Sequence, residues 1–172
     1  MNVIEVILTR RSIRKYSNKE IPTKIIANLL EAGMYAPSAR NLQAWQFVVI
    51  NNRGLLNELA EIHPYGKMLK QAPLAILVCG DKMKDESEGY LSLNCAAATQ
   101  NIMLAAHSLG LGSVWLGVYP KENRIEPIST LLKLPEYILP MALISLGYPD
   151  EILPKPERFS REKIHYNDQW YK

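Results

Sequence analysis

Apolar positions in this chain switch between helical and strand spacing from one segment to the next. At the start, Val3, Ile4, Ile7 and Leu8 stand at i and i+4, which predicts a short helix with one buried stripe. Asn18 to Pro22 reads as a turn. Ile25, Ile26, Leu29, Leu30, Gly33 and Met34 then repeat the helical spacing, with Thr23 as its cap and Pro37 as its stop. Gln46 to Ile50 is a β-branched and aromatic run of strand length, and Leu55 to Glu61 returns to helix. A short basic segment passes through Lys67 and Lys70. Leu74 to Cys79 follows as an unbroken apolar run, expected of a buried strand, opened by Pro73, which has no ladder donor to lose.

From Tyr90 to Leu109 an alanine-rich segment is apolar around most of its circumference, as in a helix buried on several sides. Gly110 and Gly112 are expected to close it, Ser113 to Leu116 to form a strand stopping at Gly117, and Ile125 to Leu132 to form another helix. Pro135 and Pro140 bracket a turn before a last strand, Met141 to Leu146. Four strands and about five helices predict an α+β domain. Beyond Pro149 the chain becomes rich in proline and charge and ends in Tyr166, Trp170 and Tyr171. Such a tail builds no core of its own. It is either disordered or docked on another surface, such as a second protomer.

At 172 residues and 48% hydrophobic, the chain suits one domain or one protomer. The net charge of +3 is too small for a broad nucleic-acid surface. The N-terminus lacks the pattern of a secretory signal, and no apolar run reaches the ~18 residues of a membrane span, so a cytoplasmic protein without a membrane partner is expected. Cys79 and Cys95 lie in apolar segments, and neither they nor His63, His107 and His165 show metal-ligand spacing.

Four of the 20 Lys and Arg residues crowd into Arg10-Arg11-Ser12-Ile13-Arg14-Lys15. A solvated face is the plain reading of a lone basic run. The other reading is a phosphate site, because guanidinium forks match phosphate oxygens and a hydroxyl adds a neutral donor. Asn41 and Gln43 in the small, polar stretch 37–45 offer donors and acceptors that match the alternating edge of a pyrimidine-like ring. Gly117 permits close backbone approach, and Lys155 and Arg158 form a second basic pair. Together these parts suit a flat, phosphorylated heteroaromatic ligand. No phosphate loop, nucleophile elbow or ordered dinucleotide fingerprint is present.

Arg10-Arg11-Ser12-x-Arg14 followed by Pro37-Ser38-x-x-Asn41-x-Gln43-x-Trp45 resembles the flavin-dependent nitroreductase family. The similarity continues through Ala97 to Asn101, Trp115-x-Gly117, Leu146 to Pro149 and the Lys155 and Arg158 tail, nearly the whole length. The resemblance implies a nitroreductase-like α+β fold: a central, mostly antiparallel sheet flanked by helices. Residues 1–172 would form a single domain whose 150–172 segment is a C-terminal arm docking on the partner of a homodimer. It further implies two FMN sites at the subunit interface, with NADH or NADPH as electron donor and a small-molecule electron acceptor.

By motif, Arg10, Arg11 and Ser12 would hold the phosphate, with Lys155 and Arg158 closing on it, while Arg14 would lie beside the ring where positive charge eases reduction. Pro37, Ser38, Ala39, Asn41 and Gln43 match a loop that such dimers contribute partly from the neighbouring protomer. The backbone around Leu116 and Gly117 would meet flavin N5, and Lys67 would approach the flavin. The expected activity is ping-pong reduction of a nitroaromatic, quinone or similar acceptor. The alternatives are a non-catalytic flavin carrier or sensor, or a related flavin reaction such as dehalogenation or flavin fragmentation. Two departures stand out. Ala44 replaces the familiar proline before Trp45, and the chain is shorter than full-length members, which leaves the ring more open.

Overall fold

The computed structural model describes residues 1–166 and residue 170; of the tail aromatics, Tyr171 lies outside them. Five helices, α1 (Val3–Thr9), α2 (Thr23–Met34), α3 (Arg53–Ile62), α4 (Glu88–Ser108) and α5 (Glu122–Leu132), surround four strands, β1 (Trp45–Ile50), β2 (Leu74–Asp81), β3 (Gly112–Gly117) and β4 (Ile138–Gly147). The strands form one antiparallel sheet in the order β1-β2-β4-β3. The expected α+β class and antiparallel sheet are what the chain forms.

The continuous apolar run of β2 is buried from Leu74 to Asp81, because β1 and β4 flank it and α4 packs on it. Full burial of one such leucine or isoleucine contributes about 1.5–3 kcal/mol, so β2 and β4 form the stable centre against which everything else is placed. Helix α4 packs on β2, β4 and α2. Its fully buried positions, Leu91, Asn94, Cys95, Ala98, Thr99, Ile102, Met103 and Ala106, fall on one stripe, with half-buried alanines beside it and Leu93 exposed. Within one chain the helix is therefore buried along one side and not all round.

Gly110 ends α4 as expected. Its φ of +78° suits the left-handed cap, Leu111 N–H donates to Ala106 O at 2.8 Å, and Gly110 N–H donates to His107 O at 3.1 Å. Gly112 is no cap; it is the first residue of β3. Thr23 does not cap α2 either, since the cap position falls on Pro22 and no side-chain bond closes it. Pro140 lies inside β4, not in a turn. It pairs with Cys79 where the β2–β4 register shifts, and that irregularity accommodates its missing N–H.

The largest departure concerns α1. The helix forms, but the stripe that its spacing predicts as buried is exposed: Val3 is 73% exposed and Ile7 and Leu8 49% each, while Val6 alone is buried. The basic segment after it is anchored differently. Ile13 and Tyr16 are buried against the paired glycines Gly112 and Gly147, where an added Cβ would fall 2.7 Å from Ile13 Cβ and 2.7 Å from the Tyr16 ring. Ile13 N–H donates to Ser113 O at 3.0 Å, and the Tyr16 hydroxyl donates to Ile13 O at 2.7 Å. Residues 12–16 thus lie directly on the β3–β4 end of the sheet. The tail follows them back: Tyr16 bridges Pro149, Asp150 N–H donates to Lys15 O at 2.9 Å, and Glu151 accepts the N–H groups of Arg14 and Lys15.

This packing predicts that Gly147→Ala, which drives a methyl into the Tyr16 ring, lowers the unfolding free energy by about 1–3 kcal/mol in urea denaturation. Gly89→Ala, whose Cβ would meet only Ser87 Oγ at 3.8 Å, is the control expected to leave stability nearly unchanged.

Candidate functional site

Because residues 12–16 lie along β3, the guanidinium groups are held at the outer edge of the sheet. Arg10 is half-buried, and its Nη1 is buried with no hydrogen-bond partner among the described residues. Burial, then the charges of Arg158 and Arg11, hold its pKa below the ordinary guanidinium value. Arg11 and Arg158 therefore both act on Arg10 with positive charge, and none of the three forms an ion pair among the described residues. Arg11 and the tail pair Lys155 and Arg158 line a groove of about 590 Å³ together with Ile7, Leu8 and Phe159; Glu157 is the acid of that lining. The two basic regions, about 145 residues apart in sequence, share one surface. An orphaned guanidinium N–H in a cluster of positive charge is the environment that an anion completes.

The individual roles differ from one guanidinium to the next. Arg11 is mostly committed to backbone: Nε donates to Pro154 O at 2.8 Å, Nη1 to Leu8 O at 3.3 Å and also to Arg10 O. It ties the tail to the end of α1. Arg14 is exposed and donates to Ser12 O at 3.3 Å. Ser12 itself bridges Ser113 in parallel sense.

The outer edge of β3 continues from this cluster. Val118 N–H donates to Met141 O at 3.2 Å, so in the antiparallel alternation residues 114, 116 and 118 bond β4 and residues 113, 115 and 117 point away from it. Ser113 O, already taken by Ile13 N–H, is one outward group. At the other end of the strand, about 13 Å further on at ~3.3 Å per residue, both N–H and C=O of Gly117 point outward. A Cβ on Gly117 would meet nothing within 4 Å, so open space lies beside it. Leu116 is buried, and Trp115 is exposed on its own face.

Gly117 O accepts two hydrogen bonds that sequence reasoning did not find. His63 Nε2 lies 2.9 Å from it and Arg124 Nη1 donates to it at 2.7 Å. His63 is buried at the end of α3, and its Nδ1 accepts Tyr65 N–H at 3.2 Å, which places the proton on Nε2 and makes that nitrogen the donor. Burial holds its pKa below 6.5 against the raising effect of the Gly117 carbonyl, and Arg124 lowers it further, so the neutral imidazole is the form present near neutrality. Lys67 follows four residues later, exposed at the start of the turn Lys67–Lys70, and is not gathered into the basic groove.

The amide-bearing loop stands elsewhere. It precedes β1, whereas the basic cluster lies beside β3, so the two occupy opposite edges of one chain's sheet. Pro37, Asn41 and Gln43 are exposed; Ser38 and Ala39 are half-buried. Ser38 Oγ accepts Gln43 N–H at 3.0 Å, Ala39 N–H donates to Asn94 Oδ1 at 3.1 Å, and Arg40 pairs with buried Asp85 at 3.2 Å. Arg40, Asn41 and Gln43 all have left-handed backbone, with φ of 54°, 56° and 49°, a conformation these anchors must hold. Gln43 Nε2 donates to Asn41 Oδ1 at 3.0 Å, which uses neither N–H of Asn41 Nδ2 nor the Gln43 amide oxygen.

The family model described as the Nitroreductase family matches residues 7–63 and 61–148. The chain belongs to that family. A Methanothermobacter thermautotrophicus protein bearing the provisional name NADH dehydrogenase/NAD(P)H nitroreductase is 47% identical over 99% of this chain and 88% of its own length. A crystal structure from Parabacteroides distasonis under the same provisional name has a TM-score of 0.93 at 40% identity, covering 98% of this chain and all of that one. The structure of an FMN-dependent nitroreductase from Clostridium difficile has a TM-score of 0.90 at 32% identity, covering 96% and 99%. This member of the family has no helix long and apolar enough to cross a membrane and no metal-binding group of His, Cys, Asp or Glu among the described residues.

His107 reports on the basic cluster. It lies 2.9 Å from Thr9 Oγ1 at the end of α1, and burial, then Arg10 and Arg11, hold it below its ordinary 6.5. An anion on those guanidinium groups offsets their charge, so saturating sulfate, which does not titrate in this range, is expected to move the His107 titration upward in ring-proton NMR. By linkage, sulfate binding tightens as pH falls through the same interval. A His107 titration that sulfate leaves in place assigns the anion to another surface.

Proposed function

We propose that the protein is an FMN-dependent oxidoreductase that uses NADH or NADPH to reduce a nitroaromatic, quinone or similar small-molecule acceptor. The observation that carries this reading is the outer edge of β3. It joins an uncompensated guanidinium cluster at one end to an outward peptide N–H beside open space at the other, the two poles of a phosphorylated flat ligand. The names of similar proteins support it: one is called an FMN-dependent nitroreductase and others an NAD(P)H nitroreductase.

In this reading Arg10, with its unpartnered Nη1, and Ser12 bind the phosphate, and Lys155 and Arg158 close on it from the tail. Arg11 contributes by charge and by fixing the tail. Arg14 lies toward the ring, where its charge favours electron gain, and the Gly117 N–H faces the ring's N5. When bound, FMN supplies the redox chemistry, accepting hydride from the nicotinamide and passing electrons to the second substrate in ping-pong alternation. The protein needs no nucleophile for this; its residues bind, orient and set local charge. Since one chain puts Pro37, Ser38, Ala39, Asn41 and Gln43 on the far edge of its sheet, the loop reaches a ring at β3 only from a second copy. The protein is accordingly a homodimer, each protomer a single domain; the C-terminal arm, expected over 150–172, is bonded to its own chain at Asp150, Glu151 and Pro154, so it reaches the partner only with its later part. Lys67 approaches the ring from the Gly117 end.

The test is direct. The purified protein is expected to show flavin absorbance and to oxidise NADH or NADPH when menadione or a nitroaromatic is added. A yellow protein without turnover is a carrier, and a colourless protein that takes up no FMN ends the flavin reading. Arg10→Ala removes a charged hydrogen-bond donor worth about 1.5–3 kcal/mol, so FMN affinity, read by quenching of flavin fluorescence, is expected to fall roughly tenfold to a hundredfold. An unchanged affinity removes Arg10 from the site.

A further inference from the structure

We propose that His63 and Arg124 are positioning residues: their hydrogen bonds to Gly117 O hold the end of β3 so that the outward N–H of Gly117 stays aimed at the flavin ring. The inference rests on the flavin reading above and assigns the two residues that make its ring pole rigid.

Gly117 is a poor place for a fixed donor unless something restrains it. It is the last residue of an edge strand, it has no Cβ to limit its backbone, and a Cβ there would touch nothing. The neighbouring groups remove that freedom one by one. Leu116 pairs with Leu143 on β4, and Val118 N–H donates to Met141 O, which fixes one side of the peptide that follows Gly117. The other side of the same peptide is Gly117 O, and it is there that His63 and Arg124 converge at 2.9 and 2.7 Å, filling both carbonyl lone pairs. Among the backbone groups of residues 116–118, the N–H of Gly117 is then the one left free.

The two donors come from different elements, and each is itself held. His63 closes α3, and the Tyr65 N–H fixes the tautomer that can donate. Arg124 lies in the first turn of α5, with its guanidinium 5.8 Å from the Tyr65 ring centroid. Its Nε is buried without a partner among the described residues, an arrangement kept at a cost that the bond to Gly117 O offsets. Neither residue touches the basic groove that binds the phosphate, so the pair sets direction at the ring while affinity comes mainly from the other pole.

The experiment is amide hydrogen exchange at Gly117 in FMN-loaded protein, compared with His63→Leu, Arg124→Met and the donor-preserving His63→Gln. In the parent protein, FMN is expected to slow exchange at Gly117. In His63→Leu and Arg124→Met that protection falls by about tenfold or more, while the amides of Val114 and Leu116 stay protected and FMN affinity changes by no more than about tenfold; His63→Gln restores much of it. Because the two replacements lie on separate helices, either one carries the test if the other fails to fold. Protection at Gly117 that survives both replacements overturns the positioning role and leaves the flavin reading standing. A parent protein that takes up no FMN overturns both.

Discussion

Ile13 and Tyr16 occupy space that Gly112 and Gly147 leave empty, and the rest of the candidate site depends on that fit. The two glycines are register partners at the end of the β3–β4 pair, so one bare patch of sheet accepts both side chains. With residues 12–16 pressed onto the sheet, the backbone that carries Arg10 and Arg11 is anchored at Ser12, which bridges Ser113. Close-packed interiors do not yield by the half ångström or more that a methyl at either glycine demands. The tail is placed by the same contact, since Tyr148 O accepts Ser17 N–H, Asp150 N–H donates to Lys15 O and Glu151 accepts from Arg14 and Lys15, which brings Lys155 and Arg158 to the groove.

Electrostatics then turns a packing arrangement into a site. Arg11 and Arg158 add positive charge to the surroundings of Arg10, whose buried N–H no acceptor among the described residues satisfies. A fold tolerates such an arrangement more readily when an anion is regularly present, because bound anion offsets both the mutual repulsion and the lost hydration. The other pole works through backbone rather than charge pairing. There β3 presents alternate peptide groups along its free edge, and side chains from α3 and α5 restrain the last of them. In the proposed reading a single strand edge sets the spacing between the phosphate and the ring.

Much of this was legible in the chain itself. The strands were readable because β2 and β4 are buried on both faces and so carry unbroken apolar runs. The basic cluster and the amide loop were readable because their residue types are rare in such density. What stayed hidden involves contacts across the fold. His63 and Gly117 are 54 residues apart, and neither His-Pro-Tyr-Gly nor the α5 sequence hints that two donors meet on one carbonyl. Gly112 looked like a helix cap because Gly110 beside it is one; its use as a clearance for Ile13 is a tertiary fact. The spacing of Val3, Ile4, Ile7 and Leu8 identifies a helix face, and only the assembled neighbours decide whether it is covered; within one chain it is not.

The central claim is that one strand edge binds one ligand from its phosphate to its ring. A crystal structure of the protein with FMN tests it most directly. The account places the phosphate within hydrogen-bond distance of Arg10 Nη1 and the ring along the outer edge of β3 at Gly117. FMN bound with its phosphate away from Arg10, or in the separate cavity lined by Glu20, Asn51 and Arg53, contradicts it.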